Sequence, residues 1–456
     1  MCGSEHKLER SRTSSTHRCL ISVGFISGAL IAFLYLNVSR NFAKVPYVVI
    51  TQAQRTTGKE QLIPGGEKEE TSKVACHSEG RFSESCEADG DVRVNGTALS
   101  VFVVPTSSRP ASERLQWEIR PYSRRTVSFI KKVAVRQLAD HAAAPPCTVT
   151  YDVPAVVFAI GGLTGNYWHD YADVLVPLFV AARRFAGEVV FLVTNPGDRP
   201  RWLAKYGTLL KRLSKYDVVD LGGDVEVRCF PHVTVGLHMH KEFTILPELD
   251  TGGRLSMADF TRFQREAYGL PRDAAVSLAQ EPYKKPRLML LHRGKNRRFV
   301  NEQEIVRAAD AAGFEAVVVD LKGGMPVAEQ ARVVNSFDAL LGVHGAGLTN
   351  AAFLPAGAML IQVVPYGKME FIARAEFSGP ATDMGLKYLD YSVTAEESTL
   401  LEMLGPEHPA VRDPDSVHSS GWLNVYEFYL KKQDLRINIT RFAPTLAQAF
   451  NLLRQQ

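Results

Sequence analysis

The sequence predicts an α/β protein built from two Rossmann-like domains that face each other across a cleft. Three observations lead there. Short apolar runs of strand length alternate with amphipathic stretches of helical spacing, as a parallel sheet with helices on both faces requires. The alternation occurs twice, once on each side of a polar stretch, RDAAVSLAQEPYKKP (272–286). Glycine-rich turns follow apolar runs in both halves, and open α/β sheets hold their ligands outside the carboxyl ends of strands.

Size and composition agree with more than one globular unit. The chain has 456 residues, and at roughly 150 residues per domain that suggests about three units. Hydrophobic residues make up 45% and charged residues 22%, which excludes a disordered, collagen-like or multi-span membrane protein. Lys and Arg number 53 against 49 Asp and Glu, a net charge of +4. There is no basic block of the kind a nucleic-acid binder carries, so no nucleic-acid partner is expected.

The N-terminus predicts the compartment. Residues 19–38, CLISVGFISGALIAFLYLNV, contain no charge. At ~1.5 Å per residue, a helix of that length spans a hydrocarbon core of about 30 Å. Lys7, Arg10, Arg12 and Arg18 precede it, which places residues 1–18 in the cytosol and the rest of the chain on the far side. The run exceeds a signal-peptide core of about 7–15 residues and no A-x-A-like cleavage site follows, so it reads as an uncleaved signal anchor. Residues 39–91 are polar and lack apolar periodicity, the composition of a stem, and ordered sequence is expected from near Val92. Sequons at Asn95 and Asn438 are candidate glycosylation sites; a third, at Asn37, abuts the membrane. Cys76, Cys86, Cys147 and Cys229 lie beyond the anchor, an even number in an oxidising compartment. Of three possible pairings, nearness in sequence favours Cys76 with Cys86 and Cys147 with Cys229.

The first folded block, 92–280, holds the strand VPAVVFAIGG (153–162), a helix at 169–185 with a kink at Pro177, the strand EVVFLVTN (188–195), a further helix, and short strands through VEVRCFPHVTVGL. The second block, 281–456, alternates more plainly. PRLMLLHRG (286–294) is a strand that ends in a basic loop, and NEQEIVRAADAAG (301–313) is a helix with an Asn cap and a Gly stop. FEAVVVDL, VAEQARVVNSF, DALLGV and AMLIQVV continue the βα alternation, and a C-terminal helix closes the chain.

Two loops of the second block point to an anion. His344-Gly345-Ala346-Gly347 joins a strand to a helix; glycine lets backbone approach a phosphate, and the helix start offers unpaired N–H groups. Thr349 and Asn350 add side-chain donors. The loop HRGKNRR (292–298) ends another strand and supplies Arg293, Arg297 and Arg298, whose guanidinium forks match phosphate oxygens. In the first block, GGLTGNYWHDYAD (161–173) sets His169, Asp170 and Asp173 at a helix start. His169 and Asp173 are four residues apart, hence on one helix face, where a carboxylate can orient an imidazole as a general base. The same pattern also suits a simple acidic helix cap.

Other chemistries lack their signatures. There is no G-x-x-x-x-G-K-[ST], no G-x-G-x-x-G after a strand, no G-x-S-x-G and no H-E-x-x-H. Asp89-Gly-Asp91 and Asp413-Pro-Asp415 match D-x-D, but the first lies in stem-like sequence and the second in a polar loop. His238 and His240 share a strand face without further ligands to complete a site. No metal and no cofactor is expected, since two arginines and a helix dipole can neutralise a bound diphosphate.

GGLTGNYWHDYADVLVPLF, LHRGKNRRFVNEQEI, VNSFDALLGVHGAGLTNAAFLP and VVPYGKMEF, in this order, resemble plant glycosyltransferase family 61, above all its grass members that decorate xylan with arabinose or β-1,2-xylose. The resemblance covers about 92–450. It implies a GT-B fold, an inverting mechanism, a UDP-sugar donor (UDP-xylose or UDP-arabinofuranose), a xylan acceptor and type II topology in the Golgi membrane. It implies donor contacts at Arg293, Arg298, His344, Gly345, Gly347, Thr349 and Glu370, and an acceptor side that includes His169 and Asp173. Two other readings remain: an N-glycan β-1,2-xylosyltransferase, and a carbohydrate-binding Golgi protein without turnover.

Overall fold

The computed structural model describes residues 73–77, 82–105, 115–250 and 253–455. The expected cytosolic tail, the expected anchor at 19–38 and most of the expected stem lie outside them. Among the described residues no helix is long and apolar enough to cross a membrane.

The first sheet has ten strands: β1 (Lys73–His77), β2 (Ser85–Asn95), β3 (Ser100–Val104), β4 (Gln116–Ile119), β5 (Val133–Gln137), β6 (Val149–Thr150), β7 (Ala155–Phe158), β8 (Val190–Val193), β9 (Val219–Asp220) and β10 (Val227–Val235). Their order is β4-β5-β3-β2-β10-β7-β8-β9, with β1 beside β2 and β6 beside β10. From β10 to β9 every pair is parallel. AVVF of β7 and VFLV of β8 are buried throughout, the all-apolar strand that a sheet covered on both faces demands.

The other half departs from the expected parallel sheet. β2 runs antiparallel to β1, β3 and β10, and β4 antiparallel to β5. The reason is the connection: only residues 96–99 separate β2 from β3, enough for a hairpin and far too few for a crossover helix. The structure also corrects the onset of order, because β1 and the first part of β2 fall within the expected stem. Glu87, Asp89 and Asp91 make that stretch look like linker, yet each is partnered. Glu87 pairs with Arg184 and His232, Asp89 with His232, and Asp91 with Arg93. Two disulfides secure the region, Cys76–Cys86 across β1 and β2 and Cys147–Cys229 onto β10.

The second sheet is parallel throughout: β11 (Arg287–Leu291), β12 (Glu315–Val319), β13 (Ala339–Val343), β14 (Met359–Val364) and β15 (Lys387–Ser392), in the order β12-β11-β13-β14-β15. Chain direction across the sheet reverses between β11 and β13, and a doubly wound sheet opens its ligand crevice at that switch point. The loops that leave these two strands are HRGKNRR and HGAG. Residues 272–286, expected as a linker between domains, are instead pinned to this sheet. Buried Asp338 accepts hydrogen bonds from the backbone N–H groups of Val276 and Arg287, both at 2.9 Å, and pairs with Arg272.

One apolar core draws on both sheets. Tyr171 is its hub, with ring edges or faces toward Phe243, Phe260 and Phe353 at 6.2 Å. Phe353 ends the 3-10 helix Ala346–Phe353 that follows HGAG, so the helix bearing His169 and the helix bearing HGAG are packed through this contact. The C-terminal helix Ile439–Arg454 buries Phe442, Leu446, Ala449 and Leu453 against the second sheet.

Candidate active site

After β7 the chain turns through Gly161 and Gly162, and Asn166 caps a helical segment at Tyr167–His169 by accepting from the Trp168 N–H at 3.0 Å. The next turn, Asp170–Leu175, is π-helical, and the Val176 N–H reaches the Tyr171 carbonyl. Pro177 follows at the start of Val176–Arg183. Proline has no N–H to give and its ring crowds the preceding turn, so a widened turn is the expected accommodation where a kink was predicted.

That turn aims Asp170 and Asp173 in different directions. Asp170, placed by its spacing at the helix start, is fully buried and takes hydrogen bonds from the Gly165 N–H, Trp202, Lys205 and Tyr206. It is a structural anchor. Asp173 is also fully buried, and its oxygens accept from Tyr122 Oη at 2.6 Å, Arg124 Nε at 2.7 Å and His169 Nδ1 at 3.0 Å. Burial would raise its carboxyl, but Arg124, His169 and Tyr122 hold it below the ordinary value. It is therefore ionised and saturated. With Nδ1 engaged, the His169 ring has Nε2 left, and the side chain is 22% exposed.

Tyr122 and Arg124 come from the loop between β4 and β5, and sequence reasoning missed both. The loop is wrapped around buried Arg120, whose guanidinium donates to the Arg125 and Ser128 carbonyls at 3.1 Å. Gly162 makes room for Tyr122: at φ +56, a Cβ there would lie 2.6 Å from the phenol ring. Arg124 also donates both terminal nitrogens to Glu242, at 2.8 and 2.5 Å. Burial works against its charge, and Asp173 and Glu242 keep it cationic all the same. Glu242 sits in a tight turn after β10 in which buried Phe243 has φ +50.

The second cluster is of opposite character. Asn296 and Arg297 both adopt left-handed backbone, φ +58 and +56, and this turns Arg297 inward. Its Nη1 donates to the His344 carbonyl at 2.7 Å. Arg293 donates Nε to the Asn296 carbonyl at 2.9 Å. A Cβ on Gly345 would lie 3.0 Å from Arg297 Nη1 and 3.2 Å from Arg293 Nη1, so glycine is required for both guanidiniums to close on this loop. Neither arginine hydrogen-bonds a carboxylate among the described residues. Burial and Arg293 pull Arg297 down to about 9, the mark of cationic charge left without a partner.

The other donor-side candidates divide. Thr349 is fully buried, and its hydroxyl has no partner; neither does Asn350 Oδ1 or Arg297 Nε. His344 is buried, accepts at Nδ1 from Gln362 Nε2 at 2.9 Å, and is pushed down to about 3 by burial, Arg297 and Arg293. It is neutral at any physiological pH. Gln362 is itself fixed by the Tyr388 hydroxyl at 2.6 Å, so the remaining His344 nitrogen, Nε2, carries the proton. That nitrogen faces Glu376 at 3.8 Å. Arg298 is not brought to the cluster: it points outward, its Nε and Nη2 both donating to Asp434 Oδ2 at 2.9 and 2.5 Å, and Arg297 takes the place assigned to it. Glu370 lies in the first turn of the helix Glu370–Asp383, partly exposed, near Lys368 and Arg374.

The remaining motifs have structural employment. Asp413 caps the helix Pro414–Ser419, and Asp415 pairs with Lys368. His240 accepts from the Leu246 N–H at 3.2 Å and its ring meets His238 edge-on. Asn95 holds the β2–β3 turn by accepting from Thr97 and Ala98, and exposed Asn438 caps the C-terminal helix.

Comparison with known proteins meets this geometry. The family described as Glycosyltransferase 61 matches residues 167–361, the span from the His169 helix through HGAG to β14. A beta-1,2-xylosyltransferase of Oryza sativa subsp. japonica is 42% identical over 84% of this chain and 84% of its own. An alpha-1,3-arabinosyltransferase of the same plant is also 42% identical, over 84% of this chain and 66% of its own. A xylan glycosyltransferase of Arabidopsis thaliana is 30% identical over 84% of this chain and 80% of its own. Among solved structures, the bacterial iron-containing glycosyltransferase TibC overlaps at TM-score 0.25 and 10% identity, over 68% of this chain and 82% of that one, too slight a likeness to carry an argument. Two-fifths identity along most of a relative's length leaves one conclusion: the chain belongs to glycosyltransferase family 61.

Proposed function

We propose that the protein transfers a pentose from a UDP-sugar to xylan, with inversion at the anomeric carbon, and that its two sheets form the domains of a GT-B fold. The observation that supports this most is the Arg293 and Arg297 pair closed on Gly345. Two cations without a hydrogen-bonded carboxylate, beside the orphaned Thr349 hydroxyl, suit a diphosphate. The names of the relatives supply xylan and pentose; xylosyl and arabinosyl relatives stand at the same 42% identity, so xylose and arabinofuranose are equal candidates.

In this mechanism the acceptor hydroxyl oxygen attacks the anomeric carbon while the bond from that carbon to the diphosphate oxygen breaks. The hydroxyl proton passes to His169 Nε2. Asp173, fixed on Nδ1, stabilises the imidazolium that forms, and Tyr122 and Arg124 hold Asp173 still. Arg293 and Arg297 meet the charge that develops on departing UDP. A type II Golgi location, anchored by 19–38 and glycosylated at Asn95 and Asn438, belongs to the same proposal. The test is incubation of the full-length protein with UDP-xylose or UDP-arabinofuranose and xylo-oligosaccharides, followed by linkage analysis. A pentosylated oligosaccharide and released UDP are expected; no transfer from either donor would refute the assignment.

A further inference from the structure

Three carboxylates lie in or beside the two clusters, and two are consumed. Asp173 has three donors, and Glu242 both terminal nitrogens of Arg124. The third, Glu376, accepts no hydrogen bond from any described residue, although its side chain is only 24% exposed. It projects from the helix Glu370–Asp383 toward His344 Nε2, which stands 3.8 Å away, too far for a hydrogen bond. Glu242, Arg124 and Arg297 are all within electrostatic reach of it. The turn that carries Glu242 is attached to the same helix, since Thr244 donates to Asp383 at 3.2 Å. Glu376 thus lies beside His344 of the arginine cradle, on a helix tied to the turn that carries Glu242.

A partly buried carboxyl with no protein hydrogen bond is open to completion by a ligand. The diphosphate is met by the guanidiniums at Gly345 and the acceptor proton by His169, which leaves the sugar for this place. We infer that Glu376 binds hydroxyl groups of the donor pentose, with His344 Nε2–H as a second donor, and so orients the anomeric carbon between the diphosphate and the acceptor. Burial and Glu242 push the Glu376 carboxyl up to about 8, against the pull of Arg124 and Arg297. In its protonated form it can donate to one sugar oxygen and accept from another. The inference rests on the donor cradle proposed above and names the part of it that reads the sugar.

The test compares binding of UDP, UDP-xylose and UDP-arabinofuranose by calorimetry to the full-length wild type, Glu376→Ala and Glu376→Gln. UDP lacks the sugar, so its affinity should be the same in all three proteins. The wild type should prefer one UDP-pentose, and Glu376→Ala should weaken that binding about tenfold to a hundredfold. Glu376→Gln, which keeps one donor and one acceptor, should retain most of the affinity and measurable turnover. Unchanged UDP-pentose affinity in Glu376→Ala overturns the inference. So does a Glu376→Gln protein with full UDP-pentose affinity and no turnover, because that is the behaviour of a proton acceptor. Failure of the wild type to bind UDP would instead remove the donor cradle itself, so the two failures are separable.

Discussion

The His169 cluster and the Arg297 cluster are both buried and polar, yet they are solved in opposite ways. Around Asp173 every charge is answered from within: Tyr122, Arg124 and His169 meet the carboxylate, and Glu242 meets what remains of Arg124. Around Gly345 the charge is left open, with Arg293 and Arg297 near each other and three orphaned polar atoms close by. A satisfied network costs little to bury and fixes geometry; an unsatisfied one is tolerable only where a ligand arrives. The first is suited to hold one imidazole in place, and the second to receive an anion.

The largest expected effect comes from removing the one group in the satisfied cluster that reaches outward. His169→Ala should lower kcat by about 10²–10⁴-fold while the UDP dissociation constant and melting temperature stay near wild type. Near-normal kcat in the folded variant would erase the distinction between the clusters and leave the histidine as a helix cap.

Asp173→Asn tests the network behind it. An amide keeps the shape but strands the Arg124 Nε charge; breaking a buried pair costs about 3–5 kcal/mol, and the surviving Glu242 contact puts this case near 3. Stability and kcat should fall together. The pH dependence has a definite sign. The folded carboxyl lies below its ordinary value, so it contributes stability that is complete above the unfolded value of about 3.9 and is lost as the pH falls through the folded one. Wild-type melting temperature should therefore drop more steeply below about pH 4 than that of Asp173→Asn, and parallel curves would show that the pairing contributes nothing.

Much of the second sheet was legible because its strands and helices alternate with short, well-signalled turns, and its two glycine and arginine loops fall at the switch point of the sheet. The spacing of His169 and Asp173 was legible too, as a helical repeat. The antiparallel half of the first sheet was not, since its acidic residues are neutralised by His232, Arg184 and Arg93 from elsewhere in the sequence. Tyr122 and Arg124 sit in RPYSRR, whose only local signal is polarity; a loop folded around Arg120 leaves no periodic trace. Glu242 and Glu376 carry no local sequence signal either. The choice between Arg297 and Arg298 turned on two successive left-handed residues, which neighbouring arginines do not announce.

Arg297→Ala addresses the open cluster. It removes a guanidinium held against HGAG by the His344 carbonyl, and a charge-assisted hydrogen bond contributes about 1.5–3 kcal/mol, so UDP affinity should fall by about one to two decades. Because the two arginines also disfavour one another, the apo protein should lose little stability or gain some. Titration of UDP and thermal melting check both halves, and a variant that melts much lower yet binds UDP normally would make Arg297 structural.

The smallest effect is expected one residue later, and it is the sharpest test of how the loop is read. Arg298 is chemically identical to its neighbour and adjacent to it, but its side chain is half exposed and its charge is already met by Asp434. Exposed ion pairs contribute little. The backbone around it stays tied in any case: the Arg298 N–H donates to Asp434, the Arg297 N–H to the Gln433 carbonyl, and the Leu435 N–H to the Arg298 carbonyl. Arg298→Ala should thus leave the left-handed turn at Arg297 in place and UDP affinity within about twofold of wild type. If it instead matched Arg297→Ala, the outward arginine would have to swing into the cradle on binding. The loop would then be a closing element, and the open cluster seen here only part of the anion site.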